Sequence, residues 1–264
     1  MLLLTGAFLG LYALGAEKAF DEVEGLSADE PLLAAVDERT LTGATLLGLA
    51  MFATLFLGAV LAAFLTLGVV RGDAERGLLQ PLVVRPIGRE TLLLGRLLAA
   101  GGVCALYTVG VFAAATGLTY WAGAYWPDRF FLPAVELAAA VVVIAALSLL
   151  GSVFLSATAN GIAVFMVFGA GLVAGLLGQI GEGIDSQTLI DVGRTTSWVL
   201  PFEALYQDGL HGISSASFGL TELALQLGPF GGAQAGGSWL WPWTVAYLGL
   251  LVAVSLVGFA RRDL

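Results

Sequence analysis

A run of 45 residues without a charged side chain, between Glu136 and Glu182, constrains this chain more than any other feature. As a single helix it would be about 68 Å long at about 1.5 Å per residue, roughly twice the thickness of a bilayer's hydrocarbon core. The run must therefore turn back once. Small and polar residues at 156–161 (Ser-Ala-Thr-Ala-Asn-Gly) are typical of such a turn. The sequence predicts two membrane spans here, at 137–155 and 162–180.

Four further apolar segments accompany this pair, in a chain that is 58% hydrophobic and only 12% charged. A soluble domain carries about 25% charged residues, so this composition does not suit a water-exposed globule. The segments are continuously apolar rather than alternating, which predicts helices and not the strands of a barrel. We expect an all-α integral membrane protein, one domain over 1–264, with six transmembrane helices at 1–16, 43–70, 97–126, 137–155, 162–180 and 242–260.

Two long segments, 17–42 and 181–240, are expected as outside loops between spans. The first is rich in acidic residues and the second is mixed. Within the second, Pro201 and the Phe-Glu-Ala-Leu-Tyr that follows predict a helix start, because proline is tolerated in a first helical turn. The glycine-rich stretch 228–237 predicts a loop.

The first apolar segment leaves two interpretations open. Its 16 residues make about 24 Å of helix, which is short for a full span. A cleaved signal peptide is the alternative, with Ala13-Leu14-Gly15 as a cleavage-like site. A signal peptide normally begins with basic residues, which are missing here, so a retained span is favoured. A true start upstream of Met1 would explain both the short length and the missing basic flank.

Basic residues predict the orientation of the spans. The segment 71–96 and the C-terminal end lie on one side of a six-span protein and together hold seven basic and four acidic residues, a net charge of +3. The opposite side holds four basic and fifteen acidic residues, a net charge of −11. Positive segments stay in the cytoplasm. We therefore expect both termini, and the connector between spans two and three, to be cytoplasmic.

The overall charge of −9 excludes a nucleic-acid partner, which would require a basic face. Lys18 is the only lysine in the chain. An acidic, lysine-poor composition favours a halophilic source, since dense charge keeps a surface soluble when salt screens repulsion. Acidic residues that merely occupy outside loops are the alternative explanation.

No residue pattern predicts catalysis or metal binding. His211 is the only histidine, and Cys104, the only cysteine, lies in an apolar run and reads as a small buried residue. The phosphate-binding loop of ATPases is absent from the sequence. Glu136 lies near a span edge, where we expect it to reach the interface, so the spans offer no charge for an ion-coupled carrier. The sequence predicts no catalytic, cofactor or metal site in this chain.

The connector 71–96 is the most informative segment. Charged residues bound an apolar patch, formed by Leu78, Leu79, Leu82, Val83 and Val84. One interpretation is an amphipathic helix that lies on the membrane surface. The other is a helix that docks into a groove of a soluble partner.

The connector resembles the corresponding segment of the type-2 ABC transporter permeases. Their pattern is Glu-x-x-Gly-Thr-Leu-x-x-Leu-Leu-x-x-Pro-x-x-Arg, followed by Gly-Lys. Leu78 stands where the family has Thr, and Pro81 falls inside the family's helix. The ending Phe-Ala-Arg-Arg-Asp-Leu is also similar to the family's. The matching positions, in chain order, are Glu75 or Arg76 for the charged lead, then Gly77, Leu79, Leu82, Val83, Pro86, Arg89 and the pair Gly95-Arg96.

This resemblance implies a membrane-spanning permease subunit of an ATP-driven exporter, from the branch linked to multi-copper-enzyme maturation in halophilic archaea. It implies a short coupling helix between spans two and three that contacts a separate nucleotide-binding subunit, where ATP and Mg²⁺ would bind. It also implies a second permease copy or paralogue. The expected coupling residues are Glu75, Arg76, Gly77, Leu78, Leu79, Leu82, Val83, Pro86 and Arg89. A stand-alone carrier or channel and a membrane assembly factor are the alternatives. The substrate is not readable from the sequence.

Overall fold

A computed structural model describes residues 1–26, 38–67, 88–214 and 234–260, and all regular structure in these ranges is helical. The predicted all-α class is therefore confirmed for this part of the chain. The helices, in chain order, are α1 (Leu2–Leu26), α2 (Glu38–Thr66), α3 (Arg89–Gly123), α4 (Phe131–Phe154), α5 (Ala157–Gly183), α6 (Gln187–Val199), α7 (Pro201–Ser214) and α8 (Leu240–Ala260).

Six of these helices, α1 to α5 and α8, are long and apolar enough to cross a membrane. Their stretches run from 21 to 34 residues, and a span needs about 20 apolar residues. Helix α1 continues ten residues beyond the predicted 1–16, so it has the length of a span. Helices α6 and α7, with 13 and 14 residues, are too short to cross.

Helix α4 lies at the centre of the bundle. It contacts α2, α3, α5, α7 and α8, and 67% of its most apolar stretch is buried, against 17% in α1. Its residues Leu137, Val141 and Ile144 belong to one core with Met51 of α2 and Phe112 of α3. Because α4 is apolar on all sides, a central position allows every side of the helix to pack against apolar neighbours.

Contacts between helix ends define two ends of the bundle. Phe20 of α1 packs on Gly123 of α3, and Tyr125 packs on Gly43 of α2. The two short helices α6 and α7, which form a helical hairpin described below, also lie here, so we call this the hairpin end. At the other end, called the connector end, Phe154 of α4 packs on Gly258 of α8. The connector joins α2 to α3 at this second end.

The turn between α4 and α5 is tight. Leu155 is extended, and the Ser156 hydroxyl caps α5 by accepting from the amide of Ala159 at 3.5 Å. The Asn160 side chain donates to the carbonyl of Ser148 at 2.9 Å, which joins the two helices just beyond the turn. The N-cap and the Asn160 hydrogen bond hold the reversed chain in place here. Beyond the turn, apolar side chains pack the two helices together.

Within the segment 181–240, predicted as an outside loop, the described residues include α6 and α7, which form a helical hairpin. Gly193 of α6 meets the backbone of Gly178 in α5. Helix α7 begins at Pro201, as predicted, and packs on α4 and α2. Its buried residues recur at helical spacing: Phe202, Leu205, Tyr206, Leu210 and Ile213. We call α6 and α7 the hairpin.

Candidate functional site

The predicted coupling residues lie mostly outside the described part of the chain. This applies to Glu75, Arg76, Gly77, Leu78, Leu79, Leu82, Val83 and Pro86. Arg89 is the first residue of α3. The structure therefore describes the end of α2 before the connector and the connector's last residues from Gly88 onward, and not the patch between them.

The end of α2, just before the connector, is fixed to α4 and α5. The Thr66 hydroxyl, in the last turn of α2, donates to the Ser148 hydroxyl of α4 at 2.6 Å, and both side chains are fully buried. Next to it, the side chain of Leu67 packs on Gly161 of α5, where an added Cβ would lie 2.9 Å from Leu67 Cδ2. The end of α2 that precedes the connector is therefore tied to two other spans.

The second end of the connector leads into a small apolar cluster. Leu93, in the second turn of α3, packs with Leu149 and Val153 of α4 and Phe259 of α8, all at most 2% exposed. Helix α8 ends one residue later, at Ala260. The start of α3, the end of α4 and the end of α8 are thus held together at the connector end.

A second polar site lies at the hairpin end, around the buried carboxyl group of Glu203. This side chain is 2% exposed and faces Gly175 of α5. The Ser197 hydroxyl donates to Glu203 Oε2 at 2.8 Å, and the Gln207 amide donates to Oε1. Burial raises the pKa of Glu203 to about 7, and the two hydrogen bonds act in the opposite direction.

Glu136 differs from its expected position at the interface, because it is fully buried in the first turns of α4. Neither carboxyl oxygen has a hydrogen-bond partner among the described residues. Oε2 lies close to Gly209 of α7, and the Asp208 carboxyl is its electrostatic neighbour. The spans therefore do carry one buried acidic group, at the level of the hairpin.

A cavity of about 260 Å³ opens beside the Glu203 network, between α5, the hairpin and α8. The loop before α8 closes one side, since Gln234 donates to Glu182 Oε1 at 2.6 Å and the Gly236 amide donates to Asp208 Oδ1 at 2.9 Å. Its wall includes both charge signs, two amides and two indoles: Glu182, Arg194, Ser197, Trp198, Gln207, Gln234 and Trp243.

Sequence reasoning missed this hairpin-end site. Glu203 follows Pro201 and reads as an ordinary acidic residue of a first helical turn. The apolar spacing of α7 was a usable signal, because it predicts a helix with one buried face. The sequence does not predict that Gly175 of α5 lies opposite Glu203. The carboxyl is buried because it packs against this glycine.

No group of three or more His, Cys, Asp or Glu side chains that could hold a metal ion occurs within residues 1–26, 38–67, 88–214 and 234–260. The hydrogen-bonded groups around Glu203 are an acid, an alcohol and an amide, with no histidine or thiol among them. This arrangement can bind polar groups and exchange a proton.

Comparison with known families settles the class of the protein. Residues 3–264 match the family described as ABC-2 family transporter protein, which is nearly the whole chain. The chain belongs to the ABC-2 transporter family. A comparison with individually curated proteins finds no significant match.

Membership in the ABC-2 family, with six helices capable of spanning, makes the chain a multi-pass protein of the plasma membrane. An ABC-2 protein is the membrane component of an ABC transporter and is not itself catalytic. Members of this family normally work with an ABC ATPase subunit. The resemblance to type-2 ABC permeases is thereby confirmed at the level of the family.

Proposed function

We propose that this ABC-2 protein is the permease subunit of an ATP-driven exporter and is driven through the connector 71–96. A separate nucleotide-binding subunit holds ATP and Mg²⁺, and this chain binds neither. Two permease copies, identical or paralogous, enclose the transport path. The contact with the ATPase comprises Glu75, Arg76, Gly77, Leu78, Leu79, Leu82, Val83, Pro86 and Arg89.

The anchoring of the helix ends on either side of the coupling patch carries this proposal. Before the patch, Thr66 of α2 is hydrogen-bonded to Ser148, and after it Leu93 of α3 packs against Leu149 and Phe259. A partner that moves the connector therefore moves α2, α3, α4 and α8 together. A surface helix with no partner would need no such attachment, since lipid contact alone would hold it.

The distribution of charged residues supports a partner that acts on the cytoplasmic side. The connector and the C-terminal end together carry a net charge of +3, while the opposite side carries −11. Basic segments remain cytoplasmic, where an ATPase finds its nucleotide. The strongly acidic opposite side suits a high-salt exterior, because dense charge stays hydrated when salt screens repulsion.

Co-purification in mild detergent at high salt tests the proposal. We expect the full-length chain to retain an ATPase subunit in stoichiometric amount. Leu82→Asp places a charge in the apolar patch and should abolish this retention, and Arg89→Glu should weaken it. Both variants should remain folded, since Leu82 lies between spans and Arg89 precedes the membrane-spanning stretch of α3.

Ile184→Asp is the matched control, because Ile184 is an aliphatic residue at the hairpin end and 65% exposed. It should retain the ATPase as the parent does. Normal retention by Leu82→Asp and Arg89→Glu would remove the coupling assignment. A purified dimer with no ATPase at all would instead favour a stand-alone carrier or an assembly factor.

A further inference from the structure

The cavity at the hairpin end combines features that point to a bound ligand. Its wall comes from four helices, α5, α6, α7 and α8, and from the loop before α8. Gly175, Gly178 and Gly193 also line it, and they allow α5 and α6 to pack closely beside the Glu203 carboxyl.

The volume of the cavity limits the ligand to a small polar group. At about 260 Å³ it lies just below the range of about 300–1,000 Å³ that accommodates drug-sized molecules. A hydrocarbon chain would also leave the charged groups of Arg194 and Glu182, which line the cavity, facing apolar atoms. The occupant must therefore be short and able to form hydrogen bonds.

The charges on the wall select a ligand that carries both signs. Arg194 is exposed to the cavity and has no ion pair with another described residue. Glu182 keeps one carboxyl oxygen beyond its bond to Gln234, and the Glu203 carboxyl lies behind Ser197 and Gln207. A simple anion would be repelled by the acids, and a simple cation by Arg194. A zwitterion carries one group of each sign, so it can pair with Arg194 and with the acids at the same time.

Two indoles complete the wall at the level of the membrane interface. Trp243 donates from Nε1 to the carbonyl of Trp198 at 2.7 Å, and their ring centroids lie 5.8 Å apart. Tryptophans at the start of a span mark the headgroup level of the bilayer. Indole surfaces also attract ammonium groups. The cavity can therefore be reached by a lipid headgroup or by a free solute.

We infer that this cavity is a binding site for a small zwitterion, an ammonium group and a phosphate or carboxylate on one short skeleton. Arg194 binds the anionic group. Glu182 and the indoles of Trp198 and Trp243 face the ammonium group, and the oxygens of Ser197 and Gln207 can accept hydrogen bonds. The site belongs to α5, the hairpin and α8, and it requires no contact with the connector.

Calorimetric titration of the purified full-length chain tests this inference, with O-phosphoethanolamine as the probe. We expect it to bind at least about tenfold more tightly than inorganic phosphate or ethanolamine alone. Arg194→Gln and Glu182→Gln should each weaken binding by about tenfold or more. Arg129→Gln and Asp185→Asn, exposed charges at the same end, are the matched controls and should bind as the parent does.

The inference would be overturned by an absence of phosphoethanolamine binding, or by inorganic phosphate or ethanolamine binding as tightly as phosphoethanolamine. Unchanged binding by Arg194→Gln would do the same, and because Arg194 is exposed this variant should fold. Ala204→Phe, which fills the cavity from α7, is a second variant that should abolish binding. Its thermal unfolding checks that the chain remains intact.

The source of the zwitterion is found by repeating the titration in bilayer discs. If phosphatidylethanolamine discs block the soluble probe and phosphatidylglycerol discs do not, the ligand is a lipid headgroup. If neither lipid blocks it, the ligand is a free solute. All of these measurements use the chain without an ATPase, so their failure would leave the permease proposal standing.

Discussion

Glu203 shows how one residue can couple the hairpin to pH. Its carboxylate is buried against Gly175 and held by Ser197 and Gln207, and the hydroxyl of Tyr206 lies nearby without a partner among the described residues. Two hydrogen bonds recover only part of the cost of burying a charge. The folded protein therefore favours the neutral acid over the carboxylate more strongly than the unfolded chain does.

The stability of the protein should fall as Glu203 ionises. Its pKa is raised from 4.5 to about 7, so the folded chain binds the proton more tightly than the unfolded chain does. The contribution of the protonated Glu203 to the free energy of unfolding is greatest below about pH 4.5. It falls as the pH rises through about 7, and at higher pH it no longer changes. The whole change is roughly 3 kcal/mol at most. Thermal unfolding in detergent between pH 4.5 and 8 measures this slope.

Glu203→Gln should flatten that slope, because an amide does not titrate. Glu182→Gln, which replaces an exposed acid at the same end of the bundle, serves as the control for the loss of a carboxylate. Equal slopes for Glu203→Gln and the parent would show that the pH dependence comes from other groups.

At the scale of elements, the hairpin depends on a seam of glycines between α5 and α6. A Cβ added at Gly193 would lie 2.7 Å from the Cα of Gly178, and backbone atoms of a packed helix cannot move aside easily. The turn that starts the seam is strained as well, since Asp185 has a φ of +53°. Close backbone contact is what positions α6 over the cavity.

Gly193→Ala should separate α6 from α5 and lower the free energy of unfolding by about 1–3 kcal/mol, the usual cost of overpacking. Gly169→Ala is the matched control, since a Cβ there meets nothing within 4 Å and alanine favours a helix by about 1 kcal/mol. The two variants should therefore shift the thermal midpoint in opposite directions. A midpoint unchanged by Gly193→Ala would mean that the seam opens without cost.

The long helices and the start of α7 were predictable and the packing of the hairpin was not, for a physical reason. A bilayer requires about 20 apolar residues of every span, so a helix such as α4 is visible in the sequence. Helix α7 is only half apolar, and its buried face depends on a groove formed by α2 and α4. The burial of Glu136 was missed for the same reason, because Gly209 of α7 covers it.

At the scale of the whole molecule, an even number of spans places the connector and the end of α8 on one side. The contacts of Leu93 with Phe259 are consistent with this arrangement. The hairpin end then faces the opposite compartment. Which of the two compartments is outside follows from charge alone, so it stays a prediction.

Cysteine labelling of intact cells tests that orientation. Cys104 is fully buried, so the parent should remain unlabelled by a membrane-impermeant maleimide. We expect Ile184→Cys, at the hairpin end, to be labelled from outside. Glu90→Cys, at the connector end, should react only after the membrane is opened. The reverse pattern would invert the topology and place the acidic side in the cytoplasm.

The packing of α7 bears on how the protein assembles as it is made. Its partners α2 and α4 precede it in the chain, whereas α8 follows and adds contacts such as that of Trp243 with Trp198. The hairpin can therefore settle on spans already synthesised, and its apolar face need not wait exposed for the end of translation. The last span then arrives at a surface already formed, and its insertion completes the wall of the cavity.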